Sequence, residues 1–396
     1  VYKRQVPGVV SWATLYSNTT GTRNIAIGGS ALTSNTTGSY NTAVGLAALY
    51  SNTTSSSNTA VGYQAGFSNT TGYENDSFGI LAGYSYTTTN RNTSIGSYAG
   101  RYQTGYYNVF VGAESGLGSS GLSTANTNVG IGTQTLYAVT TGSNNVAIGG
   151  WTGGSPAALA NNTSGGQNIA IGSGALGNNT TGSTLVAVGY QAGYTSSGAP
   201  NMTAVGYQAA YSYNSSNYID AFGYRALKNS TGDGNAAFGS TSLTSNTTGS
   251  SNSAFGLNSL YANTTGSYNT SVGYQALTSN TTASNNTAVG YQAGYTNSTG
   301  QFNTFVGRLA GYNATGDYNT FVGSSAGYQI TSGAKNTIIG HYDGNNGGLD
   351  IRTASNYIVL SDGDGNPRQY CTSAGLWYMG DGSSTNAGNL YLNGPN

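Results

Sequence analysis

Charge is what this chain most lacks. Of its 396 residues, 6% are Asp, Glu, Lys or Arg, against roughly 25% in an ordinary soluble domain. The 11 Lys+Arg balance the 11 Asp+Glu, so there is no basic stripe for nucleic acid and no polybasic patch for a membrane surface. One cysteine, Cys371, excludes an intrachain disulfide framework. One histidine, His341, makes neither a zinc site nor a catalytic triad by itself. No apolar run approaches the ~18 to 20 residues of a membrane-spanning helix. No stretch keeps a 3.6-residue apolar period, so helix is disfavoured throughout. Glycine is abundant, with 63 residues, but it does not fall at every third position, which excludes collagen.

What the chain does have is a period. Nineteen glycines, from Gly28, Gly45 and Gly62 to Gly323 and Gly340, are spaced by 17 residues in thirteen of 18 intervals and by 16 in three, with single intervals of 20 and 23. So short and regular a repeat implies a solenoid with one coil per repeat. The residue before each glycine is Val, Ile or Phe in all nineteen repeats. Such residues favour strands, and they are read here as the core, pointing inward at Val44, Val61, Val188 and Val272. Ala, Ser or Thr stands three residues after the glycine in eighteen repeats, with Asp343 the exception. Leu or Gly comes next, and an aromatic residue often follows the Gly, as at Gly66-Phe67 and Gly294-Tyr295. This reads as two ways of filling similar space. Asn lies four before the glycine in sixteen repeats (Asn24, Asn41, Asn58, Asn75, Asn92 and onward), interrupted by Leu185, Met202 and Ile219. Stacked at one coil, such amides can bond along the stack at a corner. Segments such as Ser34-Asn35-Thr36-Thr37-Gly38 supply the turns. The fold class expected is all-β, a parallel β-solenoid of about twenty coils.

Strand alternation sends the residue two before the glycine to the face opposite the core residue. It is Ala in eleven repeats and Phe at Phe110, Phe305 and Phe321. A small apolar second face calls for something to pack on. The expectation is a second copy of the chain, with Ala43, Ala60, Ala187, Ala204 and Ala288 permitting close approach. The alternative is a wider monomeric coil that buries both sets.

The step Asn41-Thr42-Ala43-Val44-Gly45, like Asn24-Ile25-Ala26-Ile27-Gly28, resembles the head repeats of trimeric autotransporter adhesins. That resemblance implies a left-handed parallel β-roll with three chains side by side. The period here is longer than theirs. Gly347–Thr353 and Asn356–Arg368 are similar to segments of marine phage tail fibres, which implies the shaft of a homotrimeric fibre, extracellular and attached to a virion. Val1-Tyr2-Lys3-Arg4-Gln5 looks like a translated transposon adapter from metagenomic shotgun sequencing, implying a fragment. The division expected is residues 1–23 as adapter scar and partial coil, 24–340 as solenoid repeats, and 341–396 as a β-rich, truncated C-terminal segment.

The candidate sites are few. Asp362, Asp364 and Asn366 mimic the start of a calcium loop, but position twelve is Ser373, so an Asp-Gly hairpin turn is the better reading. His341 is read as structural and Cys371 as inert. Tyrosines five past the glycine, among them Tyr194, Tyr211, Tyr295 and Tyr312, form one column, and Tyr63, Tyr190, Tyr207, Tyr224, Tyr274 and Tyr291 form another. Either they make a glycan-stacking wall or they stack on one another and stiffen the coil. Asn-x-Ser/Thr sequons at Asn18, Asn35, Asn52, Asn69, Asn179, Asn246, Asn263, Asn280 and Asn313 would carry sugars along one edge in a glycosylating host, and elsewhere are turn composition. No nucleophile, base or metal cluster stands out. The function expected is that of a structural fibre segment, not an enzyme. It would extend from, and attach to, a cell surface, with itself and a surface glycan or receptor as partners and no cofactor, metal, nucleic acid or membrane. A bacterial or environmental adhesin is the alternative. Ice binding is a minor one, because Thr36-Thr37 pairs do not make a Thr-x-Thr array.

Overall fold

The computed structural model describes residues 13–120, 123–198, 201–214 and 218–379; the adapter-like Val1–Gln5 lies outside them. The chain divides into two compact units, Val1–Met202 and Thr203–Asn396. Each is a parallel β-solenoid with coils of about 17 residues, and together they hold about nineteen. In the first unit, strands of three residues run from Ile25–Ile27 through Thr42–Val44 to Val186–Val188. They pair without slippage: Ala26 lies beside Ala43, Ala43 beside Ala60, and Ala187 beside Ala170. In the second unit the ladder runs from Ile219–Phe222 to Thr337–Ile339. It continues past residue 340, because Ile358–Ser361 adds in parallel to Thr337–Ile339. That strand then pairs antiparallel with Pro367–Cys371, which pairs with Trp377–Met379. The parallel ladder thus passes into an antiparallel meander.

Between strands, the backbone turns at left-handed residues that recur at fixed places. In one coil these are Ala47, Leu49 and Ser57, with φ of 57°, 49° and 61°. The anchor glycine makes the sharpest corner. Gly28 has φ 120°, and a Cβ there would sit 2.6 Å from the carbonyl oxygen of Gly45, the same corner one coil on. No other residue fits both the torsion and the backbone approach. Corners and sides alike bond from coil to coil, as in Gly45 N–H to Ile27 O at 2.7 Å and Leu49 N–H to Ala65 O at 3.0 Å.

The inward and outward faces are the reverse of those expected. The middle residue of each strand points inside: Ala43, Ala60, Ala187, Ala204 and Ala288 are completely buried within their own coil. They are therefore not a contact surface for another chain. The residues before the glycine face outward. Val44, Val61 and Val188 are half-buried, while Val272 is 37% exposed and Ile27 60%. The reason is the size of the coil. A three-residue strand between two tight turns encloses a narrow interior, which small side chains fill at crystal-like density. The interior columns are this Ala, the Ala three past the glycine (Ala31, Ala48, Ala65), the Leu after it (Leu32, Leu49) and two columns of Asn.

Larger interior residues require compensation nearby. Phe110, Phe305 and Phe321 are fully buried at the alanine position. Their coils carry Gly116, Gly311 and Gly327 where others have Leu. A Cβ on Gly294 would lie 2.7 Å from the Phe305 ring, and one on Gly327 2.5 Å from Phe321. Gly therefore makes room for an interior aromatic, whereas Phe67 and Tyr295, which follow the Gly, lie half-buried on the outside. In these coils the exchange of space is with the strand centre, and at Gly83 it is with the buried Tyr86 ring, 2.5 Å from a Cβ there, rather than with the next residue as the sequence suggested. Where the corner Asn is missing, Leu185, Met202 and Ile219 are buried in its place.

Adjacent residues should therefore respond oppositely to charge. Ala288→Asp puts an unpaired carboxylate inside a dry coil and is expected to cost several kcal/mol. Val289→Asp, on the outward face, should cost less than about 1 kcal/mol in the isolated chain. Denaturant unfolding of the two variants measures the difference, and equal losses would contradict this assignment of faces.

Candidate functional site

The polar groups that recur most are inside the coils. In the corner column, the backbone N–H of Asn41 donates to Asn24 Oδ1 at 2.9 Å, Asn58 to Asn41 at 3.0 Å, Asn75 to Asn58 at 3.0 Å and Asn92 to Asn75 at 3.1 Å. Their Nδ2 groups donate to turn carbonyls, Asn41 to Ser55 O at 2.8 Å and Asn92 to Gly105 O at 3.0 Å. Each amide thus ties its own coil to the next turn. Asn41, Asn58 and Asn92 are completely buried, so the amides are occupied by the chain itself.

A second Asn column, not read as such from the sequence, is formed by the sequon residues. Asn52 Nδ2 donates to Asn35 Oδ1 at 2.8 Å, Asn179 to Asn162 at 2.9 Å, and Asn263 to Asn246 at 2.8 Å. Each Nδ2 also donates to a carbonyl three residues on, as Asn263 does to Gly266 at 2.9 Å. Asn35, Asn52, Asn69, Asn179, Asn246, Asn263 and Asn280 are buried, and Asn18 and Asn313 half-buried. The nitrogens a glycan would need are turned into the coil, so the expected sugar-bearing edge does not exist at the buried positions. The signal was in the sequence: Asn35, Asn52, Asn69, Asn179, Asn246, Asn263 and Asn280 each stand seven after an anchor glycine, with the same period as the core.

The tyrosines lie outside in columns. Tyr295 stacks on Tyr312 at 4.9 Å with planes 2° apart, and Tyr312 on Tyr328 at 5.2 Å. Tyr50, Phe67 and Tyr84 form a similar run at 5.1 and 5.2 Å. In the column after the glycine, Tyr207 stacks on Tyr224 and Tyr274 on Tyr291. Both faces of Tyr312 are covered by its neighbours, leaving edges and hydroxyl to solvent. Tyr194 and Tyr211 are half-buried in the same series, and the Lys228 ammonium lies 6.0 Å from the Tyr211 ring centre. The outward column before the glycine also stacks, with Phe222, Phe238 and Phe255 at 4.6 and 4.9 Å. Among the described residues, Tyr213 and Tyr342 lie inside, fully buried, as does Tyr86, which shares a 2.7 Å hydrogen bond with Ser94 Oγ. Burial pushes the Tyr86 hydroxyl well above the ordinary phenol range.

At the C-terminal end, Asp362 closes the turn between Ile358–Ser361 and Pro367–Cys371. Its Oδ1 accepts the backbone N–H of Asn366 at 2.9 Å and of Asp364 at 3.0 Å, and its Oδ2 accepts Arg368 Nε at 2.8 Å. The carboxylate oxygens are committed to the hairpin. Among the described residues, no group of three His, Cys, Asp or Glu side chains could hold a metal. His341 is half-buried, and its Nδ1 lies 2.8 Å from the Gly363 carbonyl. Cys371 is half-buried and lies 3.6 Å from the Thr372 carbonyl. His341 and Asp362 share an open cavity of about 480 Å³ with Ser324 and Ser361, whereas Cys371 does not line it.

The most irregular coil contains what the repeat analysis passed over. Between Gly149 and Gly172, where the interval is 23 residues, a loop carries Trp151 beside an open cavity of about 460 Å³. The long interval was the available signal. No protein family model, no curated protein and no solved structure matches the chain.

Two outcomes follow from this geometry. Asn263→Ala removes one amide from the buried column and strands the groups it bonds, which is expected to cost about 1–3 kcal/mol. Thr265→Ala, two residues away and exposed, should cost under about 0.5 kcal/mol by the same denaturation measurement. The Asp362 carboxyl is held down to about 2, first by the Asn366 backbone N–H and, against some burial, by Arg368. A carboxyl depressed below its unfolded value stabilises fully above that value and loses the effect as pH falls toward the folded one. An NMR titration should therefore keep the Asn366 amide shift constant down to near pH 4 and move it only toward pH 2, whereas in Asp362→Asn it should not titrate there at all.

Proposed function

We propose that the chain is a self-associating segment of an extracellular fibre that extends from, and attaches to, a cell surface. A phage tail-fibre shaft fits the reading best, and a cell-surface adhesin is the alternative. The observation that carries it is the outward column before the anchor glycines. Ile27, Phe78, Ile95, Ile131, Phe255 and Val289 are 37–60% exposed, and the strands that bear them stack in register within each unit. Beside them run Leu46, Tyr63, Ile80, Leu257, Tyr274 and Tyr291, 42–54% exposed. Seven of these residues in the first unit and five in the second leave on the order of a few hundred Å² of apolar surface in each. A stable interface buries about 800 Å² per partner. Almost no charge guards the stripe. A second copy of the chain, equally apolar and uncharged, is the natural cover.

In this reading self-association uses the face opposite to the alanines, and a homotrimer is the state we propose. Repeated stacking supplies length, while the absence of a charged binding surface favours attachment through aromatic or polar groups rather than ion pairs. Sedimentation tests the assembly. The wild-type chain is expected to run as an oligomer. Combined Val272→Lys, Val289→Lys and Val306→Lys should give a monomer whose unfolding is otherwise little changed. A wild-type monomer at all concentrations would remove the self-associating fibre from consideration. The genes flanking this reading frame, virion structural proteins or a secretion apparatus, separate the tail fibre from the adhesin.

A further inference from the structure

The 23-residue coil is long for a reason that the ladder does not supply. Val146–Ile148 still pairs in register with Ile169–Ile171. Ala158 N–H donates to Gly149 O at 2.9 Å, the bond that Ala48 makes to Gly45 in a regular coil. Leu159 and Asn162 occupy their usual buried places. All of the extra length therefore lies outside the coil, between Gly149 and Ala157. A neutral insertion would be a polar turn. This one presents Trp151 at 55% exposure, a large apolar surface left in water.

The loop is pinned on both sides. Trp151 N–H donates to Thr133 O at 3.0 Å in the preceding coil, and Gly174 N–H donates to Pro156 O at 2.8 Å in the following one. Thr152 Oγ1 shares a 2.9 Å hydrogen bond with Ser173 Oγ, and Ser155 is buried beneath. The cavity of about 460 Å³ is lined by Gln134, Tyr137, Trp151, Ser155, Pro156 and Asn161 among others. That volume is within the usual range for small-molecule sites.

Two features set its aromatic rings apart from the tyrosine columns. Trp151 and Tyr137, 55% and 39% exposed, stack on no other ring of the described residues. The amides beside them are oriented by the chain. Gln134 Nε2 donates to Glu114 Oε2 at 2.8 Å, and Asn161 Nδ2 to Asn178 Oδ1 at 3.0 Å. Their carbonyl oxygens accept no hydrogen bond from the described residues and stand as free acceptors. No Lys or Arg lines the cavity, which disfavours phosphates and acidic sugars.

From exposed, unstacked aromatic rings, oriented amide acceptors and a neutral lining, we infer that this loop forms a binding site for a neutral saccharide. The C–H face of a sugar ring lies against Trp151 or Tyr137, and its hydroxyls donate to Gln134 and Asn161. The site goes beyond the fibre reading and does not depend on how copies assemble.

The test uses the full chain on an array of neutral glycans, followed by a fluorescence titration with the best ligand. The wild type is expected to bind a neutral saccharide and to change its tryptophan emission on binding. Trp151→Ala and Tyr137→Ala should each weaken binding by tenfold or more, Trp151→Phe by only a few-fold, and Tyr312→Ser not at all. Both alanine variants should keep the wild-type thermal midpoint and sedimentation, since the rings lie outside the coil. A wild-type chain that binds no neutral glycan, or a Trp151→Ala chain that binds as well as wild type, overturns the site. Oligomers that persist in either case leave the fibre reading standing, so the two failures can be told apart.

Discussion

Everything in this protein depends on each coil's backbone being satisfied by the next. Strand, corner and turn all donate and accept along the stack, so every coil must take the same path as its neighbour. That requirement brings the corner carbonyl of one coil against the corner Cα of another, where only glycine fits. It also fixes the left-handed residues at the same place in successive coils. The glycine period is the visible trace of a hydrogen-bonding constraint, not a motif for binding.

The second constraint is width. The narrow interior is mostly alanine, leucine and hydrogen-bonded asparagine, with larger groups such as Phe305, Phe321 and Ile338 in some coils. Buried amides would be costly if unpaired. Here each sits one coil from its own copy, and repetition supplies the partner. The same narrowness explains why an interior Phe appears with a Gly in the facing column. Total volume is conserved while the residues that provide it change.

With the interior filled by small groups, the large apolar side chains are left on the surface, where they cover one another. Aromatic residues stack at about one coil spacing, as Phe222, Phe238 and Phe255 do. The surface ion pair between Arg91 and Glu74 is exposed on both sides and adds little. Such a surface is uniform by construction, because a repeated coil presents the same groups again and again. Recognition of a particular small ligand needs a break in that uniformity. The loop at Trp151 is such a break, made without disturbing the ladder beneath it.

The sequence by itself determined the period, the absence of helix, the parallel stacking and the column of corner asparagines, because those follow from residue identity at fixed spacing. It also contained two signals that were passed over: the sequon Asn at the core period, and the long interval before Gly172. Which face of the strand is the inside was not legible. Alternation says that Val44 and Ala43 point opposite ways, and it is silent on which way is in. Hydrophobicity argued for Val44, but closure of the coil turned Ala43 inward. That decision belongs to the tertiary structure, because the radius of the coil is set by its turns, by residues distant from the strand whose side chains it sorts.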